Sequence, residues 1–298
     1  MTAIDPRALR TFLAVCQAQT ISGAARTLHI SQPSVSVAIA QLERRLDASL
    51  FERSRNGIRL TAAGEVLKRR AEAMDGLLRE AKAEVALARD GVLGPLRIGG
   101  TPGALASLVP EAVSQLERAG MRFALSVVER PDSALVDLLR RREIELAFVT
   151  TALDPPPDDI EERSCARDPF DLLVGRQNEH LPGRLSLREA RSLRWVLPDA
   201  AGGFRRQLDA LFIAAGVPAP ADVIRCDSLL TTKAIVRESR HVTILPQRVA
   251  GAELSMGLLR VIALVDAQVQ RTVGIRWLRQ VRLGEFAEKL LEILPILP

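Results

Sequence analysis

From residue 6 onward apolar side chains recur at helical spacing: Leu9, Phe12, Leu13 and Cys16. The period predicts a helix over 6–18. Asp5-Pro6 supplies its start, an acceptor for orphan N–H groups followed by a residue whose fixed φ suits the first turn. A second, short helix carrying Ala24, Ala25 and Leu28 is expected to be capped by Ser22 and broken at His29-Ile30. Ser31 caps a third, with Pro33 in its first turn, where a missing N–H has no intrahelical partner to lose. Behind Pro33, the residues Val35, Ile39, Leu42 and Leu46 make one apolar stripe. Gln32, Ser34, Ser36, Val37 and Ala40 fall off it. An outward face this small and uncharged differs from the Lys- and Glu-rich face of an ordinary solvated helix. It suits close approach to base edges and phosphates in a major groove. With Ala24 and Ala25 allowing the second helix to cross the third closely, the pattern is that of a helix-turn-helix.

After the third helix, DASLFERSRNGIRLT reads as two short strands around an Asn56-Gly57 turn, with Arg53, Arg55 and Arg59 about its tip. Such a wing places arginines against phosphates or a minor groove. Thr61 then caps a helix to about 89, in which Leu67, Ala71, Met74, Leu78, Ala81, Val85 and Ala88 keep a heptad seam. A narrow seam on a helix roughly 43 Å long predicts a second chain as its partner.

Gly91 to Pro95 marks a hinge, and beyond it β-branched runs alternate with amphipathic stretches. Strands are expected at LRIGG, RFALSVVE, IELAFVT, DLLVGR, RWVLP, DVIRC, HVTILP and QRTVGIRWL. Helices are expected at roughly 103–118, 132–141, 202–215, 228–238 and 282–293. That alternation predicts parallel sheets covered by helices, an α/β multidomain chain. Ligands of open α/β sheets bind beyond the carboxyl ends of strands, at helix N-termini. Here those positions are Thr101, Pro102 and Gly103; Asp132 and Ser133; Thr150; Gly202, Gly203 and Phe204; and Ser228. Exposed amides and hydroxyls suit a small carboxylate or phosphate, with Phe204 as an apolar wall. His241, in a turn before the HVTILP strand, is a candidate neighbour of the same cleft.

Charge sharpens the division. Of the net +5, the first sixty residues carry +4, from eight arginines against four acidic residues. A basic head on a nearly neutral body is what a nucleic-acid-binding protein shows. No run of about 18 uncharged apolar residues occurs, so no membrane span is expected. The first ten residues also lack a secretory pattern, which points to the cytoplasm. Three cysteines are too few and scattered for a disulfide framework or zinc site, and no metal ligand set or cofactor is expected.

The segment ARTLHISQPSVSVAIAQLERRLDASLFERSRNGIRLTAAGE resembles the winged helix-turn-helix of the LysR-type transcriptional regulators. It has the family's run of S-Q-P-x-V-S, then I-x-x-L-E, L-F-x-R and L-T-x-A-G, over about 60 residues. Val37 and Ala38 stand where polar or basic residues are frequent, which shifts the reading of DNA towards Gln32, Pro33, Ser34 and Ser36, with Ser31 a DNA-binding candidate that is first of all a cap. Asp47 stands at a usual glycine, a left-handed position that Asp tolerates. The resemblance implies a DNA-binding domain over 1–60, a dimerising linker helix over 61–90 and an effector domain over 91–298. That domain would be two-lobed, like a periplasmic binding protein, with lobe I at 92–162 plus 267–298 and lobe II at 163–266, joined by two crossing strands. It further implies a homodimer or homotetramer on double-stranded DNA with a palindromic operator, a small-molecule effector, and RNA polymerase as a further partner.

Two other classes compete with a ligand-responsive regulator. Catalysis finds no support: there is no G-x-S-x-G, phosphate loop, G-x-G-x-x-G or metal cluster, and the histidines are only 29, 180 and 241. A redox-responsive DNA-binding protein using Cys165 and Cys226, without an effector, is the alternative.

Overall fold

The computed structural model describes residues 4–54, 57–199, 202–220, 222–266 and 270–297. The chain divides into two compact units, Met1–Asp90 with Arg140–Glu143, and Gly91–Leu139 with Ile144–Pro298.

In the first unit, α1 (Pro6–Ala18) opens as its sequence dictates, the Asp5 carboxylate accepting from the Arg7 N–H. It ends at Gln19, in the left-handed region. That reversal leaves Thr20 extended, and Thr20, rather than Ser22, caps α2 (Ile21–Leu28): its Oγ1 accepts from the Gly23 N–H at 3.1 Å. Ser22 lies inside the helix and donates its hydroxyl to Gln32 Oε1 at 3.3 Å. His29, at φ 54°, ends α2, and Ser31 caps α3 (Gln32–Leu46) by accepting from the Ser34 N–H. Asp47 closes α3 at φ 48°, the left-handed turn that a short polar side chain tolerates.

The wing is an antiparallel pair, β1 (Phe51–Ser54) and β2 (Gly57–Leu60), with Glu52 opposite Arg59. Arg55 and Asn56, and so the tip of the expected turn, lie outside the described residues, and Gly57 already belongs to β2. Glu43 ties the wing to α3, its Oε1 accepting from the N–H groups of Leu50 and Phe51 at 2.7 and 3.3 Å. Phe12, Val35, Leu42 and Leu50 are fully buried in one core.

The helix α4 (Ala62–Ala88) is capped by Thr61, whose hydroxyl also donates to the Ser49 carbonyl at 2.6 Å. Its first turn passes so close to the wing that a Cβ on Gly64 would lie 2.2 Å from the Leu50 oxygen. The expected single seam is divided. Leu67, Ala71 and Met74 pack into the head's own core, while Leu78 and Val85 are 41% and 67% exposed. Among the described residues of this unit, only the second half of the seam lacks a partner.

The second unit runs β3 (Leu93–Gly100), α5 (Pro102–Arg118), β4 (Phe123–Glu129), α6 (Asp132–Arg140), β5 (Leu146–Thr151) and β6 (Ile160–Val174). It continues through β7 (Arg184–Leu185), α7 (Leu187–Ala190), β8 (Arg194–Leu197), α8 (Gly203–Ala214), β9 (Val223–Arg225), α9 (Leu229–Glu238) and β10 (His241–Pro246). Then come α10 (Gly251–Ser255), β11 (Arg260–Leu264), β12 (Gln270–Leu278) and α11 (Glu285–Ile293). The strands lie in the order β4-β3-β5-β12-β6-β10-β8-β9, with β11 beside β6 and β7 beside β11.

The sheet is mixed rather than parallel. β3 runs parallel to β4 and β5, and β8 to β9 and β10, but β12 and β6 run antiparallel to their neighbours. The larger apolar cores of its lobes lie around Leu96, Ile98, Phe148 and Ile275 and around Leu172, Trp195, Leu211 and Ile244, each lobe having a smaller one besides, around Leu139 and Val149 and around Leu173 and Val236. β6 belongs to both lobes. It pairs with β12 up to Pro169 and with β10 from Phe170, so its changeover falls later in the chain than residue 163. The second crossing, expected near 267, includes residues 267–269, which lie outside the described residues.

Candidate functional site

On the head, the outward face of α3 is contiguous. Ser31, Gln32, Pro33, Ser34 and Ser36 are all exposed, as are Val37 and Ala40. Ser31 is partly committed, its Oγ lying 2.7 Å from Ser34 Oγ as well as capping. Gln32 is oriented from α2 through Ser22. Arg59 is exposed on β2, and Arg53 lies in β1 opposite Ile58. Among the described residues the face holds hydroxyls and an amide, and the wing carries the exposed Arg59, the groups that bond bases and phosphates.

In the second unit a cleft of about 120 Å³ is lined by the first residue of each of four helices: Pro102 of α5, Asp132 of α6, Gly203 of α8 and Leu229 of α9. A helix N-terminus carries unsatisfied N–H groups and roughly half a positive charge. Two of these ends have a carboxylate of their own, Asp132 in the first turn of α6 and Asp227 just ahead of α9. The N-caps of α5 and α8, Thr101 and Gly202, make no side-chain cap bond, so their amides are left for something else. Phe204 forms an apolar wall, stacked on Phe170 with centroids 6.0 Å apart. Leu245, Pro246 and Val249 extend it.

Seven sequence-predicted positions meet in this cleft: Thr101, Pro102, Gly103, Asp132, Thr150, Gly203 and Phe204. Ser133 and Gly202 are exposed and outside the lining, and Ser228 is engaged at the start of α9, accepting from the Thr231 N–H and hydroxyl. His241 does not border the cleft. It begins β10, its Nδ1 2.9 Å from Ser239 Oγ, whereas the cleft takes Leu245 and Pro246 from that strand's other end.

The cleft also contains residues that sequence reasoning missed. Arg271 of β12 lines it while only 3% exposed. Its Nη2 donates to the Gly103 carbonyl at 3.0 Å, to Ser107 Oγ at 2.9 Å and to Asp168 Oδ2 at 2.8 Å. Asp168 is fully buried and accepts also from the Ser107 hydroxyl and the Arg248 N–H. Burial pulls the Arg271 pKa below its ordinary value, opposed by Asp168. Two arginines, Arg271 and Arg276, in the short strand QRTVGIRWL were the available signal, because a charge buried in a strand needs a buried partner.

The cysteines do not form a pair. Cys165 is buried in the first lobe's core and Cys226 is half-buried at the cleft, against the second lobe. Both are free thiols.

A small polar helix face beside a wing, together with a two-lobed domain whose cleft gathers helix N-termini, defines a ligand-responsive DNA-binding regulator. The chain belongs to the LysR family: residues 6–65 match the bacterial regulatory helix-turn-helix protein, lysR family, and residues 89–295 the LysR substrate binding domain. It is 26% identical to the HTH-type transcriptional regulator PcaQ of Agrobacterium fabrum over 270 residues, covering 90% of this chain and 87% of that protein. Its fold is similar to that of full-length CbnR complexed with its target DNA, with a TM-score of 0.70 at 21% identity, over 98% of this chain and 99% of that one. The Corynebacterium glutamicum regulator LysG, with its effector Arg bound, gives a TM-score of 0.62 at 20% identity, over 98% and 96% of the two chains. The chain is thus a transcriptional regulator with an effector-binding domain and not an enzyme, and the effector reading is favoured over a redox pair. Among the described residues no helix is long and apolar enough to cross a membrane.

Proposed function

We propose that this regulator binds a roughly palindromic operator as a homodimer or homotetramer and changes its grip when a small anionic effector, carboxylate-like in charge, enters the cleft. Ser31, Gln32, Pro33, Ser34 and Ser36 read the major groove; Arg53, Arg55 and Arg59 hold phosphates or enter a minor groove. Two copies pair along the unpartnered half of the α4 seam, Leu78 to Ala88, which gives two heads and hence two half-sites. The effector domain takes 91–298, with its lobes meeting along β6 and β12. Acting on chromosomal DNA places the protein in the cytoplasm, with RNA polymerase as the partner at the promoter.

The observation that carries the anionic effector is the convergence of four helix N-termini on one cleft, two of them without a side-chain cap. A ligand that binds two lobe arrangements with different free energy shifts their populations. The test is a gel shift and footprint on the DNA beside the protein's own gene, with and without small carboxylates. A protected near-palindrome whose footprint changes with one compound supports the reading. Protection that no anion alters removes the anionic effector but keeps the DNA-binding half.

A further inference from the structure

We infer that Arg271 is the anchoring residue of the cleft and selects effectors carrying one carboxylate on an apolar body, against both dicarboxylates and neutral isosteres. The inference deepens the effector reading above and rests on it.

Every side-chain hydrogen bond that Arg271 makes among the described residues leaves from Nη2. Its Nε is buried without a partner. Nη1 points towards the start of α5: a Cβ added to Gly103 would lie 2.5 Å from it, so the glycine leaves the guanidinium its place. A cation beside a helix N-terminus is unfavourable, since both carry positive charge. Asp168 offsets this from below, and the Thr101 side chain adds no cap to the helix above. The arrangement is completed by an anion on the cleft side, where Nη1 and the uncapped α5 amides address the same oxygen pair.

Only the α5 end joins uncapped amides to a side-chain cation; the uncapped start of α8 has no basic residue beside it among the described lining residues. Among the described residues, Arg271 is the one basic residue on the lining, and the remaining charged positions, Asp132 and Asp227, are both acidic. Asp132 shares its partner: Arg276 lies 3.5 Å from it but 2.7 Å from Glu162. A second carboxylate on the ligand would face these acids across a space of about 120 Å³. The opposite wall, Phe204, Leu229, Leu245 and Val249, accepts hydrocarbon. The volume is of the same order as the cavity of about 150 Å³ that holds a benzene ring, which favours a small body.

Calorimetric titration of the full-length protein with benzoate and hexanoate, with terephthalate and adipate as dicarboxylates, and with benzamide as the neutral isostere tests this. A monocarboxylate should bind at least tenfold tighter than its dicarboxylate and its amide. Removing Arg271 alone strands Asp168, so the informative variant is the neutral pair Arg271→Gln with Asp168→Asn. With its fold checked by circular dichroism, it should lose the preference for carboxylate over amide and still shift operator DNA. Equal affinity for benzoate and benzamide, a tighter dicarboxylate, retention of the preference in the double variant, or no binding by either monocarboxylate overturns the inference. A footprint that responds to some other compound in those cases leaves the regulator reading intact. A benzoate that binds yet never alters the footprint counts against that reading instead.

Discussion

Along α3 the outward groups come from residues between Ser31 and Ser36, one turn and a half of a single helix, whereas the cleft draws on side chains from Thr101 to Arg271. The first site is local. Its geometry follows from one cap, one proline and one apolar stripe, and substitution there changes a surface with little consequence for a core. The second is assembled by strand pairing, and its charged floor joins residues 103 positions apart in the chain. A residue there, such as Arg271, is at once a wall of the ligand site and a packing element. DNA contact and folding should therefore separate cleanly in the head and resist separation in the cleft.

The sharpest break of that comparison is Ser34→Glu. The position is the third of α3, so a glutamate there completes a capping box with Ser31 and adds about 0.5 kcal/mol to the head. The same carboxylate is thrust at DNA phosphates, and operator binding should fall at least a hundredfold. Binding measured by fluorescence anisotropy beside a melting curve decides; retained affinity would show that this face does not meet DNA. Gly103→Ala comes next. On an open helix the change is favourable, but here the added methyl meets Arg271, and a cost of about 1–3 kcal/mol is expected. Effector response should be lost while effector-free operator binding stays, and a response at parental strength would remove Gly103 from the site.

Arg59→Ala tests the wing. Binding to specific and random DNA should weaken alike, roughly three- to tenfold, with the salt slope reduced by about one. Loss confined to one operator sequence would instead make the residue a reader of bases. The smallest effect is chemical. Burial pushes the Cys16 thiol up to about 11 and raises Cys165 as well, both above the usual thiol value. Because raised values keep the thiol form, both should alkylate slowly at pH 8, with Cys16 about one part in a thousand thiolate and speeding up only as pH climbs towards 11. Cys226, at the cleft, should react first and be shielded by bound effector. Mass spectrometry after iodoacetamide reads the order; effector-independent labelling of Cys226 would move the ligand elsewhere.

The same contrast explains what was legible in the sequence. Helix spacing and caps gave α1, α3 and α4 to within a residue or two, and rules for α/β sheets gave seven of the cleft's residues. Thr20 was missed as a cap because Gln19 reverses the chain by entering the left-handed region, which no residue type announces. The first half of β6 was missed because IEERSCARDP is charged and ends in proline, a poor strand until β12 and α5 cover it. Arg271 and Asp168 stayed hidden for a related reason: each is improbable in a strand alone, and only their pairing across β6 and β12 makes either tolerable. The α4 seam was read as one feature because periodicity does not say which chain supplies the partner.

That β6 runs unbroken through both lobes has a consequence for how the protein can diverge. Side chains of a strand alternate between its faces, so inserting or deleting one residue inverts every later position. In β6 such a change ahead of Asp168 would turn it away from Arg271 and, in the same stroke, turn Leu172 and Val174 out of the other lobe's core. The two lobes are thereby held in common register. New effector preferences are open to this scaffold by exchange of side chains around the cleft, and closed to it by any change in the length of that strand.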